Sequence, residues 1–330
     1  MQETNKWARE QLCAKHKKAM PILSFPGASL LGMTVKRLVT DSDAQAACME
    51  AVAKRTDAGA AFCPMDLSVE AEAFGAEVRI TDNEVPAVCG HLVSGAEDAE
   101  NLAVPGTDAG RVGIFTEGVR KAKALIKDRP VFAGAIGSFS LAGRLMDVTE
   151  IMYACYDEPE TVHCMLKKAT EWITAYCLKL RDAGADGVVL AEPLAGMIAP
   201  DMCDEFSCGY IREIVRAVQT DSFPVIYHNC GSGVLRMLEQ ILSVGAAAYH
   251  FGNAIDLAEA LSRMPENVLC MGNIDPAGQF ANGTPDGIKA ETRRLTARCG
   301  GYKQFVPSSG CDIPPNARWE NIDAFFDAVV

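Results

Sequence analysis

Eight short apolar runs alternate with stretches of helical periodicity along nearly the whole chain, and this rhythm most constrains the fold. Strands that alternate with helices build parallel sheets, because each helix carries the chain back to the starting edge. Eight repeats predict a closed (β/α)8 TIM barrel. The expected strands are Pro21–Gly27, Ala60–Asp66, Pro130–Gly137, Gly187–Pro193, Phe223–Tyr227, Ala246–Phe251, Val268–Asp275 and Tyr302–Cys311.

A doubly wound open sheet is the alternative arrangement of the same elements. The first strand is not followed by the glycine-rich fingerprint of dinucleotide-binding sheets, which favours the barrel. No stretch has the composition of a linker, so we expect one domain over residues 1–330. Residues 1–20 form an N-terminal extension in this interpretation, with a polar helix from Asn5 to Ala19. A small hairpin is expected from Glu77 onward.

Polar residues stand at the carboxyl ends of the predicted strands. In a TIM barrel these ends meet at one face, where the active site lies. We therefore expect one shared mouth, at which Asn253, Asn273 and Asp275 contact substrate and Asp66 and Glu192 serve as catalytic carboxylates. The residues at the strand ends are Asp66, Glu192, His228, Cys230, Asn253, Asn273, Asp275 and Cys311.

A histidine and a cysteine two residues apart leave the predicted fifth strand. His228 and Cys230 therefore project to the same side of the backbone. Imidazole nitrogen and thiolate sulfur are ligands that zinc prefers, and catalytic zinc sites use three protein ligands and keep one open position. Cys311, in the polar loop after the last strand, can supply the third ligand. His250 ends the sixth strand and is interpreted as a hydrogen-bonded core residue.

Charge and cysteine content limit the environment and the partners. The formal net charge is −12, which argues against nucleic acid or an anionic membrane as the main partner. Thirteen cysteines, odd in number and mostly in apolar segments, indicate a reducing compartment rather than a disulfide scaffold. The first residues are polar, so we expect no signal peptide and a cytoplasmic location.

Several segments resemble the uroporphyrinogen decarboxylase superfamily, and most closely its corrinoid-dependent methyltransferase branch. The matching segments are Met65–Gly75, Gly184–Gly187, Tyr227–Gly231, Asp256–Ala260, Gly272–Pro276 and Ser309–Cys311. The resemblance implies a zinc-dependent enzyme that moves a methyl group from a methylated corrinoid (methylcobamide) protein to a thiol acceptor such as coenzyme M. It also implies that His228, Cys230 and Cys311 hold the zinc.

Two other functions stay open at this point. The decarboxylase branch resembles the same scaffold and would use Asp66 on a porphyrinogen that carries eight carboxylates, but the arginines expected in its N-terminal segment are missing here. A barrel that binds a small molecule around a structural zinc, without catalysis, is the other alternative. Related chains tend to have an acidic residue after the sixth strand, where this chain has Asn253, so Glu192 is the candidate fourth zinc ligand.

Overall fold

Seven parallel strands form the central sheet of the protein. The computed structural model describes residues 5–329. The strands follow one another in chain order along the sheet, and every neighbouring pair is parallel. With helices packed outside, this is the predicted (β/α)8 barrel architecture. Its strands are β1 Ala61–Phe62, β4 Val131–Ile136, β5 Gly187–Ala191, β6 Val225–Asn229, β7 Ala248–Phe251, β8 Leu269–Ile274 and β9 Phe305–Ser309.

The predicted first strand is not a strand in the structure, and this prediction was wrong. Residues 19–24 run extended between β9 and β1, with one hydrogen bond from Met20 N to the Pro307 carbonyl and another from Gly59 N to the Ala19 carbonyl. A regular ladder does not form, because Pro21 has no N–H and the Ile22 N–H donates to the Ser309 hydroxyl instead. The segment still fills the seam of the barrel.

A two-stranded antiparallel hairpin follows β1, as the sequence predicts. Its strands are β2 Glu77–Arg79 and β3 Ala87–Cys89, and Val78 pairs with Val88. The turn between the two strands contains Val85, which reaches the cavity described below. The hairpin therefore contributes to the wall of the barrel mouth.

Several of the helices begin at a residue whose side chain caps the first turn. Asp41 accepts hydrogen bonds from Asp43 N and Ala44 N, which satisfies backbone donors at the start of α4. The α-helices are α1 Lys6–Cys13, α2 Gly27–Leu30, α3 Val35–Thr40, α4 Ser42–Arg55, α5 Val69–Ala73, α6 Ala96–Asn101, α7 Val112–Leu125, α8 Ser138–Met146, α9 Val148–Asp157, α10 Pro159–Asp182, α11 Pro200–Cys203, α12 Gly209–Val218, α13 Leu238–Leu242, α14 Leu257–Arg263, α15 Pro285–Cys299 and α16 Trp319–Ala328.

Short 3₁₀ and π segments interrupt the helical layer. The 3₁₀ helices are Leu194–Met197 and Val234–Met237, and the π-helices are Asp204–Cys208 and Pro276–Ala281. Across residues 5–329 the structure contains no helix with the length and apolar character needed to cross a membrane.

One apolar cluster fills the barrel interior and includes Phe62, Phe132 and Met271, each no more than 2% exposed. The N-terminal helix α1 closes the amino end of the barrel, because Trp7 and Leu12 pack against this cluster. The extension is therefore part of the core rather than a separate appendage.

Candidate metal centre

The three predicted zinc ligands meet at the mouth of the barrel. His228 is the second-last residue of the buried strand β6, Cys230 directly follows that strand, and Cys311 lies two residues beyond β9. Their ligand atoms all lie within 4.8 Å of one another, and the Cys311 sulfur is 3.4 Å from His228 Nε2. Among the residues that the structure describes, no other group of three His, Cys, Asp or Glu side chains is arranged to hold a metal ion.

A glycine permits the close packing behind Cys230. A Cβ atom added to Gly252 would lie 2.7 Å from Cys230 Cβ and 2.6 Å from its Cα. Real side chains do not approach so closely, so any larger residue would displace the cysteine. The loop after β7 therefore fixes the position of a ligand that β6 supplies.

The two cysteines differ in their affinity for a proton. The hydrogen bond that Cys230 accepts from the Cys311 thiol lowers the pKa of Cys230 to about 4. The same contact and burial raise the pKa of Cys311 well above its ordinary value. The pair thus holds one thiolate readily, beside an imidazole nitrogen. One nitrogen and two sulfurs fit a zinc ion, whose catalytic sites include this Cys₂His donor set.

A cavity of about 200 Å³ opens beside the three ligands. Its remaining lining is apolar apart from Asp312, whose Oδ1 is buried without a hydrogen-bond partner. Burial raises the pKa of Asp312 well above its ordinary value. Sequence reasoning missed this residue, although it directly follows Cys311. The other lining residues are Ile22, Met65, Leu67, Val85, Ala191, Pro193 and Pro314.

Glu192 is fully buried and binds the amino end of a helix. Its carboxylate accepts hydrogen bonds from Phe139 N at 2.8 Å, Ser140 N at 3.2 Å and the Ser207 hydroxyl at 3.0 Å. Burial raises its pKa to about 7. The structure does not place Glu192 in the group of ligand atoms, so it gives no support to Glu192 as a fourth ligand. The sequence correctly indicated a partnered buried carboxyl, and a catalytic role for it stays a prediction.

Asp66 is held in a buried ion pair rather than at the mouth. Its carboxylate accepts from Arg111 and from the Ser68 hydroxyl, and Arg111 also pairs with Glu72 at 2.7 Å. The neighbouring residues Met65 and Leu67 line the cavity, whereas Asp66 points away from it. The chain turns directly after Asp66, and the carboxylate of Asp66 also accepts a hydrogen bond from Ser68 N at 3.0 Å, which holds it in this turn. A catalytic role for Asp66 stays a prediction.

Asn253, Asn273 and Asp275 line a second cavity of about 350 Å³ instead of the one beside the ligands. The Asn273 amide donates to the Gly252 and Ile255 carbonyls at 3.0 Å each. The Asp275 carboxylate caps the segment Pro276–Ala281. These bonds hold Asn273 and Asp275 in place beside the second cavity. A role for these residues in substrate binding stays a prediction.

Comparison with known proteins identifies the family of this barrel. Residues 13–330 match the family model described as uroporphyrinogen decarboxylase (URO-D). The chain belongs to the uroporphyrinogen decarboxylase family. It is 30% identical over 249 residues to a uroporphyrinogen decarboxylase of Pseudomonas aeruginosa, which covers 72% of this chain and 69% of that protein.

Family members with a different activity are similar to the same degree. The methylcobamide:CoM methyltransferase MtbA of Methanosarcina mazei is 26% identical over 272 residues, which covers 76% of this chain and 79% of MtbA. A solved methyltransferase structure from Methanosarcina mazei superposes with a TM-score of 0.87 at 23% identity, and covers 99% of this chain and 98% of that one. This likeness shows the fold. The relatives are thus enzymes of two kinds, decarboxylases and methyltransferases.

Proposed function

We propose that this protein is a zinc-dependent methyltransferase that moves a methyl group from a methylated corrinoid protein to a small thiol. The observation that carries the proposal is the convergence of His228 Nε2 and the sulfurs of Cys230 and Cys311 within 4.8 Å at a cavity. The similarity to methylcobamide:CoM methyltransferases supports a corrinoid donor.

The three ligands supply a negatively charged, sulfur-rich pocket beside the cavity. When bound there, zinc would lower the pKa of an acceptor thiol, which is about 8.5 for a free thiol, and so favour its nucleophilic form at neutral pH. Cys230, whose pKa is lowered to about 4, already offers an ionised ligand. His228 is 3% exposed, so its ring has little freedom to leave the site.

The cavity favours a small acceptor with an apolar body. Its wall consists of aliphatic and proline side chains, Met65 and one buried carboxyl group, Asp312. An anionic group placed there would lose its hydration and lie near the Asp312 carboxyl without a cationic partner among the lining residues that the structure describes. A neutral alkyl thiol has no charge whose hydration would be lost and none for the Asp312 carboxyl to repel. We therefore expect it to be preferred over a sulfonate such as coenzyme M.

Decarboxylation of a porphyrinogen is the second candidate function, supported by the relatives named as decarboxylases. Eight carboxylates need cationic partners, and a cavity of about 200 Å³ with apolar walls suits a far smaller molecule. Asp66, which would perform that chemistry, is held by Arg111 and Ser68. These features favour methyl transfer.

The first experiment removes one ligand sulfur. Cys230→Ser should lower bound zinc, measured by elemental analysis after dialysis. It should also slow methylation of ethanethiol by free methylcobalamin by at least about 30-fold at pH 7, because even a thiol as acidic as a cysteine side chain, of pKa about 8.5, is only about 3% ionised there and ethanethiol is a weaker acid. Cys164→Ser is the matched control, since Cys164 is also half-buried but lies on α10, outside the centre.

The outcomes separate the three functions. Loss of zinc and activity with unchanged thermal unfolding supports the catalytic proposal. Equal loss of zinc and of folding stability in Cys230→Ser would favour a structural zinc. Purified protein that takes up no zinc, or that decarboxylates uroporphyrinogen instead of transferring methyl groups, would contradict the proposal.

A further inference from the structure

A chain of buried hydrogen bonds runs from the metal centre into the barrel wall. His228 Nδ1 lies 2.8 Å from His250 Nδ1, and His250 Nε2 lies 2.8 Å from the Ser308 hydroxyl. The Ser308 hydroxyl in turn donates to the Met20 carbonyl at 2.8 Å. His250 is 1% exposed and Ser308 is fully buried, so water does not compete for these groups.

The direction of each hydrogen bond follows from the carbonyl at the far end. The Met20 carbonyl can only accept a hydrogen bond, so Ser308 donates its single hydroxyl hydrogen to that carbonyl. Ser308 must therefore accept from His250, which places a hydrogen on His250 Nε2. A neutral imidazole has one N–H, so His250 Nδ1 carries a bare lone pair. The hydrogen between the two Nδ1 atoms then belongs to His228.

A second contact gives the same direction independently. His228 Nδ1 also lies 3.2 Å from the backbone carbonyl of His250, which again can only accept. Both contacts require a hydrogen on Nδ1 of His228. Its Nε2 is then unprotonated, and this is the nitrogen that faces the Cys311 sulfur at 3.4 Å.

We propose that His250 and Ser308 are positioning residues that hold His228 in the Nδ1–H tautomer and aim the lone pair of Nε2 at the metal position. The inference rests on the metal centre of the proposed function and extends it to two residues that touch neither metal nor substrate. Ligand histidines held in this way bind metal about 10- to 100-fold more tightly than without their hydrogen-bonding partner.

The neighbouring Ser309 provides a matched control. It is the same residue type on the same strand and is equally buried, but its hydroxyl accepts from Ile22 N at 3.1 Å and does not join the chain of bonds. Ser309→Ala therefore removes a buried hydroxyl next to Ser308 and leaves the His228 tautomer intact.

The first test reads the tautomer in metal-free protein. Long-range ¹H–¹⁵N NMR of histidine-labelled protein distinguishes a ring with hydrogen on Nδ1 from one with hydrogen on Nε2. We expect Nδ1–H for His228 and Nε2–H for His250, assigned through His228→Gln and His250→Gln. The reverse assignment for either ring in the wild type would overturn the proposal.

The second test measures zinc affinity by competition with a chromogenic chelator. His250→Phe keeps the ring volume but offers no hydrogen bond, and zinc affinity should fall about 10- to 100-fold. Ser308→Ala should weaken zinc about fivefold, as expected for one ordinary hydrogen bond. His250→Gln can accept with its oxygen and donate with its nitrogen, so it should retain most of the affinity, as should Ser309→Ala.

The spectrum of the cobalt(II)-substituted protein gives a third readout, because its ligand-field bands respond to the orientation of His228. His250→Phe should shift these bands and Ser309→Ala should not. Wild-type zinc affinity and spectra in both His250→Phe and Ser308→Ala would refute the positioning role. If the wild type bound no zinc at all, the proposed function would fail, while the metal-free tautomer would still decide the hydrogen-bond direction.

Discussion

Glu70, Glu192 and Asp312 are carboxyl groups that the fold removes from water. Burial raises the pKa of Glu70 and of Glu192 to about 7, and that of Asp312 well above its ordinary value. Two of them accept hydrogen bonds from backbone N–H groups, since Glu70 accepts from Ile136 N and Glu192 from Phe139 N. Each therefore prefers its neutral form in the folded protein, and folding stability must depend on pH.

Glu70 offers the clearest pH prediction. Its folded pKa of about 7 lies above the ordinary value of 4.5, so between these values the folded state keeps a proton that the unfolded state releases. Stability is therefore lost as pH rises through this window, by about 3 kcal/mol in total. Glu70→Gln keeps the acceptor for Ile136 N and should not show this loss. Urea unfolding of both proteins at pH 4.5 and 7.5 measures the difference.

The control for this comparison is Glu259→Gln, because Glu259 is exposed on α14 and forms a surface ion pair with Arg263 at 3.5 Å. Its stability should follow that of the wild type at both pH values. A constant difference between wild type and Glu70→Gln across the window would show that Glu70 does not titrate there.

The convergence of the three candidate ligands was predictable from the sequence, whereas the hydrogen bonds that support them were not. His228, Cys230 and Cys311 carry a donor chemistry that is rare in loops and follow strands that converge in a barrel. His250 was expected to be a hydrogen-bonded core residue, and it is buried with bonds at both nitrogens. That one of these bonds goes to a ligand depends on the pairing of β6 with β7, which places His228 opposite His250.

At the scale of elements, Asp66 links the loop after β1 to the start of α7. The side chain of Asp66 is fully buried and that of Arg111 is 6% exposed, and the ion pair is reinforced by Ser68 and Glu72. Asp66→Asn leaves Arg111 without its main counter-charge, and breaking a buried pair costs about 3–5 kcal/mol. We expect a matching fall in stability in urea unfolding, with zinc content unchanged in the protein that remains folded.

A double variant separates this structural role from a catalytic one. Asp66→Asn combined with Arg111→Met removes both charges and should recover part of the stability that Asp66→Asn loses. If Asp66→Asn were as stable as the wild type but inactive, Asp66 would act in catalysis as the sequence suggested, and the ion pair would be incidental.

The position of an element was easier to predict than the direction of its side chains. Met65 and Leu67 reach the cavity and Asp66 does not, because the chain turns after Asp66 and its carboxylate is bonded to Ser68 N and Arg111. The sequence places all three at one strand end without fixing which side faces inward. Asn273 and Asp275 illustrate the same limit. The Asn273 amide donates to a loop carbonyl, and the Asp275 carboxylate caps the start of a π-helix.

At the scale of the whole molecule, the barrel is closed by segments that do not look like barrel strands. Residues 19–24 occupy the seam between β9 and β1, and α1 covers the amino end. Asn5 fixes α1 there by donating to the carbonyls of Thr220 and Asp221, in the loop before β6. The alternation of strands and helices predicts the barrel, but it does not reveal that the polar leading helix α1 forms the floor of the barrel, meaning that it covers the amino end of the interior.

Substitutions of Trp7 test whether this floor contributes to the stability of the barrel. Its ring packs edge-on against Phe132 in the barrel interior, with ring centroids 5.2 Å apart, and its Nε1 is buried without a partner. Trp7→Ala should destabilise the protein by roughly 3 kcal/mol, as expected for an aromatic side chain lost from a core. Trp7→Phe keeps most of the packing and removes the unpaired N–H, so it should stay close to the wild type. Because the floor and the metal centre lie at opposite ends of the barrel, zinc affinity should be unchanged in both variants. Wild-type stability in Trp7→Ala would mean that α1 covers the barrel without closing its core.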